Sequence, residues 1–213
     1  MKRVTLFCGH YGSGKTNIAI NYTKSLIKRG LPVTIADLDV VNPYFRTKDS
    51  EAELIEAGAK VITMPFANSN VDLPSLPAEA YALVQDKIRY AVIDVGGDDR
   101  GALALGRYVP YILEENNYDM LCVVNFYRPL TTTPGEALEV LREVEAAAGL
   151  PFTGIVNNSN LGAETTREAI EASKDKAAAL SKLAGIPVRF TSVRADLACG
   201  DEFPLDLQKK IFE

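Results

Sequence analysis

Gly9-His10-Tyr11-Gly12-Ser13-Gly14-Lys15-Thr16 is the stretch on which the reading of this sequence turns. Before it, Arg3-Val4-Thr5-Leu6-Phe7-Cys8 is a short apolar run of strand character. After it, Asn17 to Arg29 carries apolar residues at helical spacing (Ile18, Ile20, Tyr22, Leu26, Ile27). Glycines between a strand and a helix let successive backbone N–H groups curl toward phosphate oxygens, and the helix N-terminus adds its dipole. In a loop of this spacing the lysine, Lys15, reaches the β- and γ-phosphates and the Thr16 hydroxyl ligates Mg²⁺. The implied ligand is a nucleoside triphosphate with Mg²⁺, held through Gly9, Gly12, Ser13, Gly14, Lys15, Thr16 and Asn17.

The rest of the chain alternates in the same way. Apolar runs predict strands at Val4–Cys8, Val33–Asp37, Lys60–Thr63, Tyr90–Val95, Met120–Asn125, Gly154–Asn157 and Val188–Thr191. Several are continuous rather than alternating, as expected of parallel strands covered on both faces. Helical spacing predicts helices over Asn17–Arg29, Ser50–Ala57, Ala78–Asp86, Gly101–Glu115, Pro134–Ala148 and Glu164–Ala184. Gly30, Gly58, Gly149 and Gly185 follow four of these runs, where a helix-terminating glycine belongs. The expectation is a single α/β domain over residues 1–213. It is a three-layer, doubly wound, mostly parallel sheet of about seven strands with helices on both faces. Met64 to Pro77, rich in Pro, Asn and Asp, reads as a long surface loop, either functional or a plain connection.

Composition narrows the function. Of 213 residues 47% are apolar and 24% charged, ordinary for a globular protein, and the formal net charge of −5 gives no basic face for nucleic acid. No N-terminal run resembles a signal peptide and no apolar stretch is long enough to span a bilayer. Cys8, Cys122 and Cys199 form no C-x-x-C pair and read as small hydrophobes of a reducing compartment, so a cytoplasmic location is expected.

Two further motifs follow the loop in order. Ile35-Ala36-Asp37-Leu38-Asp39 ends the second strand, and in a doubly wound sheet such ends converge on the ligand. Asp37 and Asp39 are spaced to approach Mg²⁺ and an attacking water, or serve as turn residues before Pro43. Tyr90-Ala91-Val92-Ile93-Asp94-Val95-Gly96-Gly97 delivers Asp94 to the metal shell, and Gly97 lets its N–H approach the γ-phosphate. At the sixth strand, Asn157 offers an amide to a nucleobase edge. Asn158 and Asn160 stand where the guanine-reading N-K-x-D pattern has lysine and aspartate, which favours adenine; the alternative is a polar turn.

With these motifs the chain resembles the deviant P-loop ATPases of the MinD/ParA/Mrp/CooC class, the CobQ/CobB/MinD/ParA nucleotide-binding domains, over nearly its whole length. The resemblance implies ATP·Mg²⁺ as ligand, a nucleotide-dependent face-to-face homodimer, and slow hydrolysis that acts as a switch. It implies that Lys15 neutralises phosphate charge and Thr16 ligates the metal. Asp39 would orient the water, Asp37 and Asp94 support the metal's hydration shell, and Asn157 contact the base. Ser192–Leu197 resembles the loop that wraps the adenine.

There are departures. The family's signature lysine, just after the first loop glycine, is replaced by His10, which is shorter and only partly protonated near neutral pH. Either Arg46 or Arg100 supplies the missing cation, or dimer activation is altered; His10 itself can pack on Tyr11 or hydrogen-bond the loop backbone. The terminal Asp206–Glu213 segment is too short and weakly basic for a membrane anchor and reads as a short packed helix. A protein partner docking on the switch loops fits this class. The competing reading is a small-molecule kinase or an ATP-dependent amide- or carboxylate-activating enzyme like dethiobiotin synthetase or the cobyrinate amidation enzymes. There Asn42, Tyr44, Arg46, Asn68, Asn70, Arg128 and Thr131–Thr133 would line a polar pocket. A third reading is a nucleotide-binding module with little hydrolysis.

Overall fold

The computed structural model describes residues 1–38, 51–63, 81–96 and 105–207. Asp39, Gly97, Arg46, Arg100 and the 64–77 loop lie outside the described residues, as does most of the 206–213 segment. The strands are β1 (Val4–Cys8), β2 (Val33–Asp37), β3 (Lys60–Thr63), β4 (Tyr90–Asp94), β5 (Tyr118–Val124), β6 (Gly154–Asn157), β7 (Val188–Arg194) and β8 (Phe203–Leu205). They form one sheet in the order β3-β2-β4-β1-β5-β6-β7-β8, and every pairing is parallel. Among the described residues the sheet therefore has eight strands, against an expectation of about seven. The addition, Phe203-Pro204-Leu205, carries a proline, which an edge strand tolerates because it needs no second row of donors.

Parity along the strands explains the layers. Val4, Leu6 and Cys8 of β1 enter one apolar cluster with Ile93, Met120, Cys122 and Ile155. Phe7, between them, enters the other with Ile35, Val92, Val123 and Val156. Both faces are thus buried, which is why these strands are continuous apolar runs. Helix α1 (Lys15–Lys28) and helix α2 (Glu51–Glu56) cover the Phe7 face through Ile18, Ala19, Leu26 and Leu54. Helices α3 (Ala82–Gln85), α4 (Val109–Glu115), α5 (Pro134–Ala148) and α6 (Arg167–Ala184) cover the other through Leu83, Ile112, Leu141 and Leu180. Each fully buried leucine or isoleucine here contributes on the order of 1.5–3 kcal/mol.

Helix boundaries follow local chemistry. Thr133 and Glu136 form a reciprocal capping box, with Pro134 at the first turn, so α5 begins where the sequence predicts. The helix expected from Glu164 begins instead at Arg167, because the Thr166 hydroxyl accepts from Ala169 N–H. A 3₁₀ turn, Gly162–Glu164, fills the interval. Cys8 and Cys122 face each other across β1 and β5 as free, buried thiols, and burial pushes both up, Cys122 to about 12. Cys199 is exposed. No helix among the described residues is long and apolar enough to cross a membrane.

Candidate nucleotide-binding site

The loop leaving β1 is shaped by glycines that no other residue replaces. Gly9 sits at φ +145, and a Cβ there would stand 2.3 Å from the Val123 carbonyl oxygen of β5. Gly14 sits at φ +89, where a Cβ would meet the Asn158 amide nitrogen at 2.3 Å. Between them the Ser13 N–H closes on the His10 carbonyl at 3.2 Å. Gly14 then starts the 14-residue α1 with no side-chain cap and no acidic residue in the first turn. The first-turn N–H groups have no side-chain cap and the turn carries no acidic residue of its own, which suits a helix N-terminus to an anion.

Lys15 and Thr16 are both largely buried at this end of α1. The Lys15 ammonium reaches back to the His10 carbonyl at 3.4 Å. The Thr16 hydroxyl donates to Asp94 Oδ2 at 2.5 Å. Asp94 is brought there by register: β4 lies between β1 and β2, and Asp94 pairs with Phe7 on one side and Asp37 on the other. In-register neighbours on parallel strands project to the same face, so Asp37 and Asp94 stand side by side on the α1 face. Their exposures of 3% and 0% place both carboxylates inside the protein. The structure thus assembles Lys15, Thr16, Asp37 and Asp94, four of the expected residues, at one end of the sheet. Asp39 and Gly97 are not among the described residues.

The donor set fits a phosphate chain and Mg²⁺. An uncapped helix end and a lysine face the loop, and a threonine hydroxyl pairs with a carboxylate, the oxygen ligands that Mg²⁺ takes. Ser13 Oγ, buried in the loop wall, has no hydrogen-bond partner among the described residues. His10 lies against the loop, its Nδ1 3.0 Å from the Tyr11 carbonyl oxygen.

The base end of the site differs from the sequence reading. Asn157 has no exposed surface: its Nδ2 donates to Ser173 Oγ at 2.8 Å and its Oδ1 accepts from Ser159 Oγ at 2.7 Å. That amide is committed inside the protein and does not face the cavity, so the base contact expected of Asn157 is not what its side chain makes here. Asn158 carries the structural tie instead. Its Nδ2 donates to the Ser13 carbonyl at 2.7 Å and its Oδ1 accepts from Ser192 Oγ at 2.9 Å. A cavity of about 330 Å³ runs from the loop over Asn158 and Asn160 to Ile170, Val193 and Leu205. That volume is within the range of small-ligand pockets, roughly 300–1,000 Å³. Its far wall is β7 and β8. The Asn21 side chain of α1 holds the end of β8, donating to the Asp206 carbonyl at 3.0 Å and accepting from Asp206 N–H at 2.9 Å. Of the Ser192–Leu197 segment expected to wrap the base, Ser192, Val193 and Arg194 line this wall, as the end of β7 rather than as a loop. β8 and its tie to Asn21 have no counterpart in the sequence reading, because a buried helical asparagine and a three-residue strand carry no motif.

Solved structures share this architecture. The chain is similar to cell division protein FtsY from Thermotoga maritima, with 18% identity and a TM-score of 0.63 over 91% of this chain and 62% of that one. It is similar to signal recognition particle receptor FtsY from Elizabethkingia anophelis, determined in complex with GDP, with 17% identity and a TM-score of 0.59 over 91% and 58%. Chloroplast FtsY from Physcomitrella patens gives 18% and 0.60 over 97% and 62%. The chain spans about three fifths of the length of these proteins. No protein-family model and no curated protein matches it. The all-parallel sheet, the glycine loop between β1 and α1, and these likenesses together give the chain a P-loop NTPase fold of the FtsY-like form.

Proposed function

We propose that this chain binds ATP with Mg²⁺ and hydrolyses it slowly, as a nucleotide-dependent switch of the MinD/ParA type. The observation that carries the reading is the 2.5 Å bond between the Thr16 hydroxyl and the Asp94 carboxylate beside Lys15. On this reading the two residues would form a metal-ligand pair at the end of a glycine loop suited to phosphates. Thr16 and Asp94, with Asp37 adjacent, would hold the metal, and the loop N–H groups and Lys15 would hold the phosphates. Bound Mg²⁺ supplies neutralisation of the charge that gathers on the phosphates during transfer. Asp39 is assigned the attacking water by the family resemblance. The switch would be read by a second copy of the chain or by a protein partner.

The preference for adenine rests on the cavity lining. A guanine reader needs a carboxylate to accept from the base's N–H groups, and no Asp or Glu lines the described cavity. Asn160, in the place of that carboxylate, accepts from Gly162 N–H and donates to the Asn158 carbonyl.

Titration with ATP and GTP in the presence of Mg²⁺ tests the reading. ATP is expected to bind more tightly, Lys15→Ala to abolish binding at micromolar concentrations, and Asp39→Ala to keep binding while slowing hydrolysis. Tight ATP binding by Lys15→Ala would sink the assignment, and tighter GTP binding would reverse the base preference. A non-hydrolysable ATP analogue is expected to change the association state. Turnover that instead depends on one added metabolite would point to the small-molecule enzyme.

A further inference from the structure

Among the cations that line the cavity, Lys15, Arg128 and Arg194, two already have partners. Lys15 reaches the His10 carbonyl, and Arg194 is paired with Asp196 through two bonds of 2.5 and 2.9 Å. Arg128 makes no side-chain hydrogen bond or ion pair among the described residues. Its Cδ and Nε come to 3.9 Å from the point where a side chain on Gly12 would begin. A guanidinium therefore lies across the phosphate loop with no carboxylate among the described lining residues to neutralise it.

The backbone that carries Arg128 is held from three sides. Thr131 N–H closes a turn on the Arg128 carbonyl at 3.3 Å, and the Thr131 hydroxyl donates to the Asn125 carbonyl at 2.7 Å. The Asn125 side chain in turn accepts from Tyr127 N–H and from Asn160 N–H, fixing this loop to the one after β6. Within the turn Leu130 sits at φ +66, a conformation that L-residues with a Cβ adopt at a cost. Backbone strain of this kind persists where the surrounding structure over-determines it, and it gathers at ligand sites. Here it sits two residues from the one unpaired cation of the described lining.

We propose that Arg128 is a nucleotide-binding residue whose guanidinium contacts the phosphate chain from the open side of the loop, opposite Lys15. This rests on the nucleotide-binding reading above. A guanidinium on phosphate oxygens forms charge-assisted hydrogen bonds stronger than neutral ones, and in a chain of net charge −5 it gives the cavity mouth a local positive charge.

The test is ADP binding to the full chain at low and high salt, for the wild type, Arg128→Gln and Arg128→Lys. Arg128→Gln is expected to weaken ADP binding roughly tenfold at low salt. It is also expected to flatten the salt dependence, since the screened attraction is gone. Arg128→Lys, which keeps the charge, should recover most of the loss. All three should unfold at the same temperature, because Arg128 is exposed and its side chain holds no partner among the described residues. Unchanged affinity in Arg128→Gln, or a loss with the salt dependence intact, would overturn the assignment. Failure of the wild type to bind ADP would instead overturn the nucleotide-binding reading itself.

Discussion

The Asn158 side chain donates to the Ser13 carbonyl at 2.7 Å and thereby fastens the loop after β6 to the phosphate loop after β1, two segments 145 residues apart in sequence. The same amide accepts from Ser192 Oγ on β7. One buried asparagine therefore joins three strand ends, and the phosphate loop is held in shape from behind. Asn158→Ala is expected to cost about 1–3 kcal/mol, because it leaves the Ser13 carbonyl unpaired in a buried setting and the Ser192 hydroxyl with only its 3.3 Å bond to the Asn157 carbonyl. Asn158→Asp should cost at least as much, since an ionised carboxylate cannot donate to the carbonyl. Urea unfolding of the two variants measures both.

The two loop glycines are expected to differ in a defined way. Gly12 and Gly9 both have positive φ, so alanine at either carries a backbone penalty of about 1–2 kcal/mol. An alanine Cβ at Gly12 meets nothing closer than Arg128 at 3.9 Å, whereas at Gly9 it meets the Val123 carbonyl at 2.3 Å. Gly9→Ala must push β1 and β5 apart and is expected to be the more destabilised of the two. Equal unfolding midpoints would contradict the close approach of these strands.

Acid should loosen the far wall of the cavity. Glu202, just before β8, is bonded by Arg167 and Lys174 of α6. The Arg167 hydrogen bond, against the opposing effect of burial, holds its carboxyl down from 4.5 to about 2. A carboxylate with a lowered folded-state pKa contributes stability in full above its unfolded value, and that contribution fades as pH falls. Stability is expected to drop between about pH 4.5 and pH 2. Glu202→Gln should be less stable at neutral pH and show a shallower acid loss over that window.

Leu130 offers a gain. Its side chain is 62% exposed, so little packing is lost on replacement, and its φ of +66 suits asparagine better than leucine. Leu130→Asn is expected to stabilise the chain by about 1 kcal/mol. For a chain of this size that is about 2–4 °C in thermal melting.

The parts of this fold that were legible from sequence are those where one physical cause dominates. β1, β2 and β6 run over the residues the sequence predicts because strands buried on both faces are almost continuously apolar. β3, at the edge and starting at exposed Lys60, has the predicted bounds as well. Helix-ending Gly149 and Gly185 do adopt the left-handed conformation expected of them. Lys15, Thr16, Asp37 and Asp94 come together at one end of the sheet, as the sequence leads one to expect, because a loop between β1 and α1 fixes where the neighbouring strand ends point. Asn157 and Asn158 are adjacent amides with the same hydrogen-bonding inventory, so nothing in composition tells which one faces inward to Ser173 and which reaches Ser13. β8 escaped because Phe203-Pro204-Leu205 is too short for periodicity, and its pairing with β7 is a long-range fact.

The clasp between Asn21 and Asp206 has a consequence for biosynthesis. The phosphate loop is made before the strands that shape it and can close on β5 and β6 as soon as Asn158 is in place. The opposite wall, with Leu205 and Leu207, is tied to α1 only once Asp206, 185 residues after Asn21, has been synthesised. On the proposed function, nucleotide capture should therefore begin on a nascent chain only after Asp206 has emerged and the central strands are paired. Ligand bound to a ribosome-tethered chain would then mark completion of the sheet edge.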